Sequence, residues 1–386
     1  MNRSIPHGCG VGPRPRTAAV RGRRADGSVR RSLPVAIAVA AGISAAAPVA
    51  APAAGPARAA SHELDVLTWS EYLDPAIVAE FEADYDVELD FEYYDSDEER
   101  DRRLSERGGA GHDLILVNGE QVERYAARGW LEPIDPNRIP NAALADTRWA
   151  AAYPGAERYG VAYFWGTLGI AWRSDLWPAG FPTWMSLLDP DPALAGRIAM
   201  SGDGRELVGL ALKAGGDSAN SADPGRITAA GRLLAAQRPF VTGYGYDSLD
   251  ADNSLVTGRI VATTLYNGDA LTLAELEPAI EFALPAEGGL LWVDYWSVSS
   301  TSTDKALASA FLDFLSRPDV AARNAAWLNY VSPIAEARAL AGDGSGTGPV
   351  LNPSAEQLER ADYLRALPPR ARKLVNTVAA HLLHAP

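Results

Sequence analysis

Between Leu64 and Val117 the chain alternates short apolar runs with amphipathic ones, and this constrains its fold more than any other feature. Leu64-Asp65-Val66-Leu67-Thr68 reads as a strand. Asp74-Pro75 then marks a helix start, with Asp as N-cap and Pro at the first helical position, and Ile77, Val78 and Phe81 follow on one face. Val87 to Tyr94 alternates apolar with acidic residues as a second strand. Asp113 to Val117 is a third, and a helix follows from Glu120 to Arg128. Strands separated by helical segments fold as an open parallel or mixed sheet with helices on its faces.

The pattern restarts after Tyr163-Phe164-Trp165-Gly166 and Gly169-Ile170-Ala171-Trp172. Arg197 to Met200 reads as a strand, Arg205 to Ala214 and Asp223 to Gln237 as helices, and Ile260–Tyr266, Ile280–Leu284 and Leu290–Val298 as further strands. Helices are expected at Lys305–Leu315, Pro318–Trp327 and Ala355–Leu364. A chain this long exceeds one ordinary core, which stops growing at roughly 250–300 residues. Two α/β lobes are therefore expected. The predicted division is a leader over 1–59, a first lobe from 60–165 and 290–336, and a second from 166–289 completed by a helical segment over 337–386.

The first sixty residues have a different character. Nine arginines and one acid, Asp26, accompany an Ala-rich apolar run from Leu33 to Val49, and Ala57-Arg58-Ala59 has the small-x-small form of a cleavage site. This reads as an export signal, with a mature start near Ala60; the run is too short and alanine-rich for a membrane span. Arg30-Arg31 leaves Sec and twin-arginine export both open. Without the leader, 35 basic and 49 acidic residues become 26 and 48, a net charge of −22. Such an acidic surface excludes nucleic-acid binding, which depends on neutralising phosphates. The single cysteine, Cys9, leaves with the leader, so the mature chain has no disulfide and no thiolate chemistry.

Several other motifs carry no chemistry. The run Gly342 to Gly348 comes late, before Pro349, and reads as a surface connection; a dinucleotide loop follows an early strand and opens a helix. The five histidines (His7, His62, His112, His381 and His384) are scattered, so no metal site and no cofactor is expected. Neither a G-x-S-x-G elbow nor an H-E-x-x-H helix is present.

Acids and aromatics recur together at the predicted C-terminal ends of strands, where open α/β sheets bind ligands. The segments are Trp69-Ser70-Glu71-Tyr72, Asn118-Gly119-Glu120, Asp203-Gly204-Arg205-Glu206 and Tyr266-Asn267-Gly268-Asp269, while Trp292-Val293-Asp294-Tyr295-Trp296 lies near the expected lobe crossover. If they converge, the complement is a slender organic polycation. Carboxylates accept charge-assisted hydrogen bonds from ammonium groups. Flat aromatic faces cover the methylenes and add cation–π attraction of roughly 0.5–2 kcal/mol each.

With these motifs the chain resembles the periplasmic spermidine/putrescine-binding proteins of ABC importers, two-lobed solute-binding proteins, from about Leu64 to Ser332. The likeness rests on Trp69 to Tyr72, Tyr163 to Gly166, Asp203 to Glu206, Tyr266 to Gly268, Glu287 to Asp294, Leu315 to Ala321 and Asn329 to Pro333. It implies a type II periplasmic-binding-protein fold with hinge crossings between lobes. Glu71, Asp203, Glu206 and Asp294 would be the ammonium-binding carboxylates, Trp69, Tyr72, Tyr266, Trp292 and Tyr330 the aromatic walls, and Ser70 a hydrogen-bonding neighbour. It further implies a monomeric, soluble periplasmic protein that delivers a polyamine to an inner-membrane permease and is not an enzyme.

The sequence departs from the family where a Ser or Thr and a nearby Tyr usually follow the third strand. Asn118, Gly119 and Glu120 stand there, and Tyr266 replaces a frequent Trp. Asn118 and Glu120 join the candidate ligand contacts on that account. Residue by residue, other roles stay open: Asp203 and Glu206 have the spacing of a capping box, and Glu120 that of a first-turn helix acid. Other readings are the same fold with another organic cation, an amino-acid-like or opine solute, a receptor-coupled sensor, or, remotely, a secreted carboxylate-dependent hydrolase.

Overall fold

The computed structural model describes residues 62–341 and 348–383. The leader with Cys9 and the start near Ala60, His384, and the glycine run up to Thr347 lie outside the described residues.

Ten strands join in one mixed sheet: β1 (His62–Trp69), β2 (Val87–Tyr94), β3 (Leu114–Asn118), β4 (Val161–Arg173), β5 (Ile198–Met200), β6 (Val241–Tyr244), β7 (Ala262–Tyr266), β8 (Ile280–Ala283), β9 (Leu290–Val298) and β10 (Asp362–Tyr363). The hydrogen-bonded order is β2-β1-β3-β9-β4-β7-β5-β6, with β8 on β4 and β10 on β9. β1 pairs in parallel with β2 and β3, and β5 with β6 and β7; β9 and β4 run antiparallel to their main neighbours. β4 and β9 are the two long strands of the sheet, and their ladder carries it from one half to the other.

Each half is covered on both faces. Leu64, Ile77, Phe81, Phe164, Trp296 and Phe311 pack on one side of the first half, and Leu67, Ile115, Tyr125, Val293 and Tyr295 on the other. Ile170, Trp184, Met200, Leu207 and Val375 form the main core of the second half, and Ala171, Leu265 and Leu273 lie behind it. All thirteen residues of β4 are buried, which explains its near-continuous apolar sequence.

Among the elements that differ from expectation, two have a clear physical reason. A helix over Asp97–Glu106 has no apolar stripe: it is set by the Ser96 cap, three acids in the first turn and ion pairs Glu99–Arg103 and Arg102–Glu106. The helix expected to reach Leu364 stops at Arg360, because Asp362 and Tyr363 pair with Leu290 and Leu291. The Asp362 carboxylate anchors that turn to Lys213 and to the Ala219 N–H.

Candidate functional site

The ends of β1, β7 and β9, and the segment after the helix Pro318–Leu328, bring aromatic rings into one row. Tyr72 follows β1 by a turn. Its carbonyl accepts from the Tyr163 hydroxyl at 2.7 Å, and the Asn324 amide in turn donates to that hydroxyl. Trp292 and Asp294 are two apart on β9 and so share a face. Asn329 ends its helix in the left-handed region at φ 59, a conformation Asn tolerates, and this aims Tyr330 back at the sheet. Ring centroids are 6.0 Å apart for Tyr72 and Tyr330, 5.1 Å for Tyr330 and Trp292, 6.0 Å for Trp292 and Tyr266, and 6.4 Å for Tyr266 and Tyr246.

Two glycines make that row possible. A Cβ on Gly166 would lie 2.5 Å from the Trp292 ring, and one on Gly268 2.5 Å from the Tyr330 ring. Between them, buried Asn267 accepts from the Thr167 N–H at 3.1 Å and fixes the start of the helix Asn267–Leu276 against β4.

Each buried carboxylate along the row meets a tyrosine hydroxyl. Tyr72 donates to Asp294 at 3.0 Å, Tyr330 to Asp269 at 2.7 Å, and Tyr266 to Glu206 at 2.7 Å. Tyr246 also donates to Asp269, and Ser201 to Glu206. Asp294 is 8% exposed and Asp269 6%. Burial pushes Asp294 and Asp269 up to about 7 and Glu206 up to about 8, with Asp203 adding to the last. These bonds partly offset burial by stabilising the ionised form.

Asp203 caps the helix Gly204–Ala214, accepting from the Arg205 and Glu206 N–H groups through Oδ1. The box is half complete, since Glu206 turns to Ser201 and Tyr266 instead of bonding back to Asp203. Asp203 is reached by solvent, yet burial raises its pKa, as a concave wall would. Glu120 is half-buried and its pKa is raised by burial, with Arg205 opposing and Asp203 and Asp97 adding.

Tyr72, Tyr266, Trp292, Asp294, Tyr330 and Glu206 are therefore brought together, with Asp203 and Glu120 within electrostatic reach. Trp69 packs against Tyr94 at 4.4 Å, beside the row. Asn118 lies opposite Asp294 in the β3–β9 ladder, but its side chain caps the helix Gly119–Ala127 and donates to Asp97. Ser70 and Glu71 are exposed and make no hydrogen bond or ion pair through their side chains among the described residues. Glu71 sits at φ 54 and its field acts on Tyr93, away from the row.

Sequence reasoning missed three participants. Asp269 stood in the noted Tyr266–Asp269 segment but passes for an ordinary first-turn acid. Tyr246, 60% exposed, gave no signal at all. Asp97 forms an ion pair at 2.8 Å with the fully buried Arg100; the Asp97 charge disfavours the ionised form of Asp294 and the Arg100 charge opposes that effect.

Residues 76–345 match the family described as bacterial extracellular solute-binding protein. The chain belongs to that family. It is 26% identical over 297 residues to the spermidine/putrescine-binding periplasmic protein of Escherichia coli, covering 76% of this chain and 84% of that one. It is 30% identical over 285 residues to a norspermidine sensor of Vibrio cholerae, covering 73% and 78%. The spermidine/putrescine ABC transporter substrate-binding protein PotD of Streptococcus pneumoniae superposes with a TM-score of 0.74 at 20% identity, over 83% of this chain and 98% of that one. The fold is thus the two-lobed α/β fold of periplasmic binding proteins.

Proposed function

We propose that this protein is the solute-binding component of an ABC importer, capturing a polyamine of the putrescine or spermidine type between its lobes. The observation that carries this reading is the row of rings whose hydroxyls hold Asp294, Asp269 and Glu206. Tyrosine donors satisfy these acids while leaving lone pairs for ammonium groups. The rings cover the methylenes between nitrogens and stabilise the charge.

The lobes divide along β4 and β9, near Trp165 and Leu290. Asp294, Asp269, Glu206, Asp203 and Glu120 are the ligand carboxylates, and Tyr72, Tyr330, Trp292 and Tyr266 the walls; Trp69, Ser70, Glu71 and Asn118 form the surrounding rim. Ligand favours the closed arrangement by hinge motion, and the closed form delivers it unaltered to a permease. The leader over 1–59 directs export to the periplasm, where the protein acts as a monomer. None of the helices among the described residues is long and apolar enough to cross a membrane.

A thermal-shift panel of putrescine, cadaverine, norspermidine and spermidine tests the reading, since ligand at 100 times its Kd adds about 2.7 kcal/mol. Stabilisation by an amino acid or an opine, and by no polyamine, would refute it.

A further inference from the structure

Tyr246 is the exception among the rings of the row. Tyr72, Tyr266, Trp292 and Tyr330 are half-buried, whereas Tyr246 is 60% exposed. Its hydroxyl nevertheless donates to Oδ2 of Asp269, an acid only 6% exposed, and Tyr330 donates to the other oxygen, Oδ1. The two tyrosines come from different elements. Tyr330 follows the helix Pro318–Leu328 and packs with Trp292 and Tyr72 inside the row, while Tyr246 lies two residues beyond β6, the outermost strand of the second half. The Tyr246 ring therefore spans from solvent to the buried carboxylate.

Packing does not account for that ring. An aromatic side chain stabilises a fold through the area it buries, and Tyr246 belongs to no hydrophobic cluster among the described residues. It meets the Tyr266 ring at 6.4 Å, tilted by 33°. The backbone on either side is fixed. The Gly245 N–H donates to the Met200 carbonyl at 3.0 Å, and the Asp247 carboxylate accepts from the Ser248 and Ser254 N–H groups at 3.0 and 2.8 Å. What can move is the side chain, and exposed side chains change rotamer on the ps–ns scale, far faster than a ligand arrives.

We propose that Tyr246 is a further ligand-contact residue, the cover of the Asp269 subsite: its ring lies across the exit of an ammonium group held there and slows its departure. The proposal rests on the polyamine reading above. Each carboxylate oxygen has two lone pairs, so Asp269 can accept from an ammonium while keeping both tyrosine bonds. The hydroxyl anchors the ring at the acid, and an ammonium seated on that acid is then within reach of the ring, where cation–π attraction grows as water is excluded. Because the side chain rotates faster than ligand encounter, the cover acts on dissociation, where most affinity differences between variants of one site arise. Tyr330, half-buried between Tyr72 and Trp292, is a fixed wall by comparison.

Stopped-flow tryptophan fluorescence with putrescine and spermidine, on the wild type, Tyr246→Phe and Tyr246→Ala, tests this, with melting temperatures confirming that all three are folded and calorimetry confirming binding. Tyr246→Ala is expected to raise koff at least about tenfold for a bound polyamine, with kon within about twofold of wild type. Tyr246→Phe, which keeps the ring and loses the hydroxyl, is expected to raise koff by about threefold or less. A Tyr246→Ala koff within about twofold of wild type overturns this proposal alone. So does an equal rise in both variants, which would leave the ring no part, or an affinity loss carried by kon. A folded wild type that binds neither polyamine by calorimetry overturns the polyamine reading, and this proposal with it.

Discussion

The hydroxyl of Tyr72 donates to Oδ2 of Asp294 across 3.0 Å, joining a turn after β1 to a strand residue 222 positions later. Tyr330 with Asp269 and Tyr266 with Glu206 repeat the arrangement. A phenol satisfies a buried carboxylate without neutralising it, so these three acids each have a donor while the cleft keeps its negative charge for a ligand. Lysine or arginine in the same places would have cancelled the attraction.

Asp294→Asn should weaken polyamine binding by about 2–5 kcal/mol, the cost of removing one partner from a buried, hydrogen-bonded charge pair. Calorimetry at pH 8 reads this directly. Unfolding stability should hold or rise, because the ligand-free protein no longer carries that desolvated charge. An unchanged Kd would remove Asp294 from the site.

Tyr72→Phe deletes the bond that lowers the pKa of Asp294 against the larger effect of burial. The pH at which affinity is half lost should therefore move upward. A loss of about 1 kcal/mol is expected near neutral pH, typical of one hydrogen bond, and a smaller loss at pH 9. A purely structural role for the hydroxyl would give the same loss at both.

Proton competition should be visible in the wild type. Asp294 and Asp269 sit at about 7 and Glu206 at about 8, above the usual carboxylate range. Ammonium ligands need these acids ionised, so affinity should fall as pH drops from 8 through 6, with proton release on binding. For the ligand-free protein the sign is opposite. The folded state holds these protons more tightly than the unfolded chain, so their contribution to stability is fully present below about pH 4 and is lost progressively as pH rises through 7 to 8. Titrations in buffers of different ionisation enthalpy, with melting temperatures over the same range, check both slopes.

Gly268→Ala places a methyl 2.5 Å from the Tyr330 ring and 2.7 Å from the Asn329 carbonyl. Overpacking of this kind costs about 1–3 kcal/mol, and the displaced Tyr330 should take ligand affinity down with it. Urea unfolding and calorimetry on one preparation would show both losses; full affinity in the variant would mean that Tyr330 does not contact the ligand.

Much of the fold was legible because strand and helix periods are local. β1, β2, β3, β9 and the helices at Pro75, Gly204, Lys305 and Pro318 stand within a few residues of their predicted limits. The helix at Asp97 escaped because its inward face is the fully buried Arg100 and a single leucine, Leu104, a pattern that looks like solvent-facing charge. Asp362 and Tyr363 left their expected helix because a distant strand offered backbone partners, which no local pattern records.

The candidate site divides the same way. Trp292, Asp294, Glu206, Tyr266 and Tyr330 were readable as acid-and-aromatic segments, and those segments set the expected sign of the ligand. The sequence thereby determined the layered α/β architecture and the cationic character of the proposed ligand. Tertiary structure decided which acids lie in the ring-lined row: it brought in Asp269 and Tyr246 and left Glu71 outside. Hydrophobic period and capping act over a few neighbours, whereas burial and the field of other charges depend on elements hundreds of residues apart.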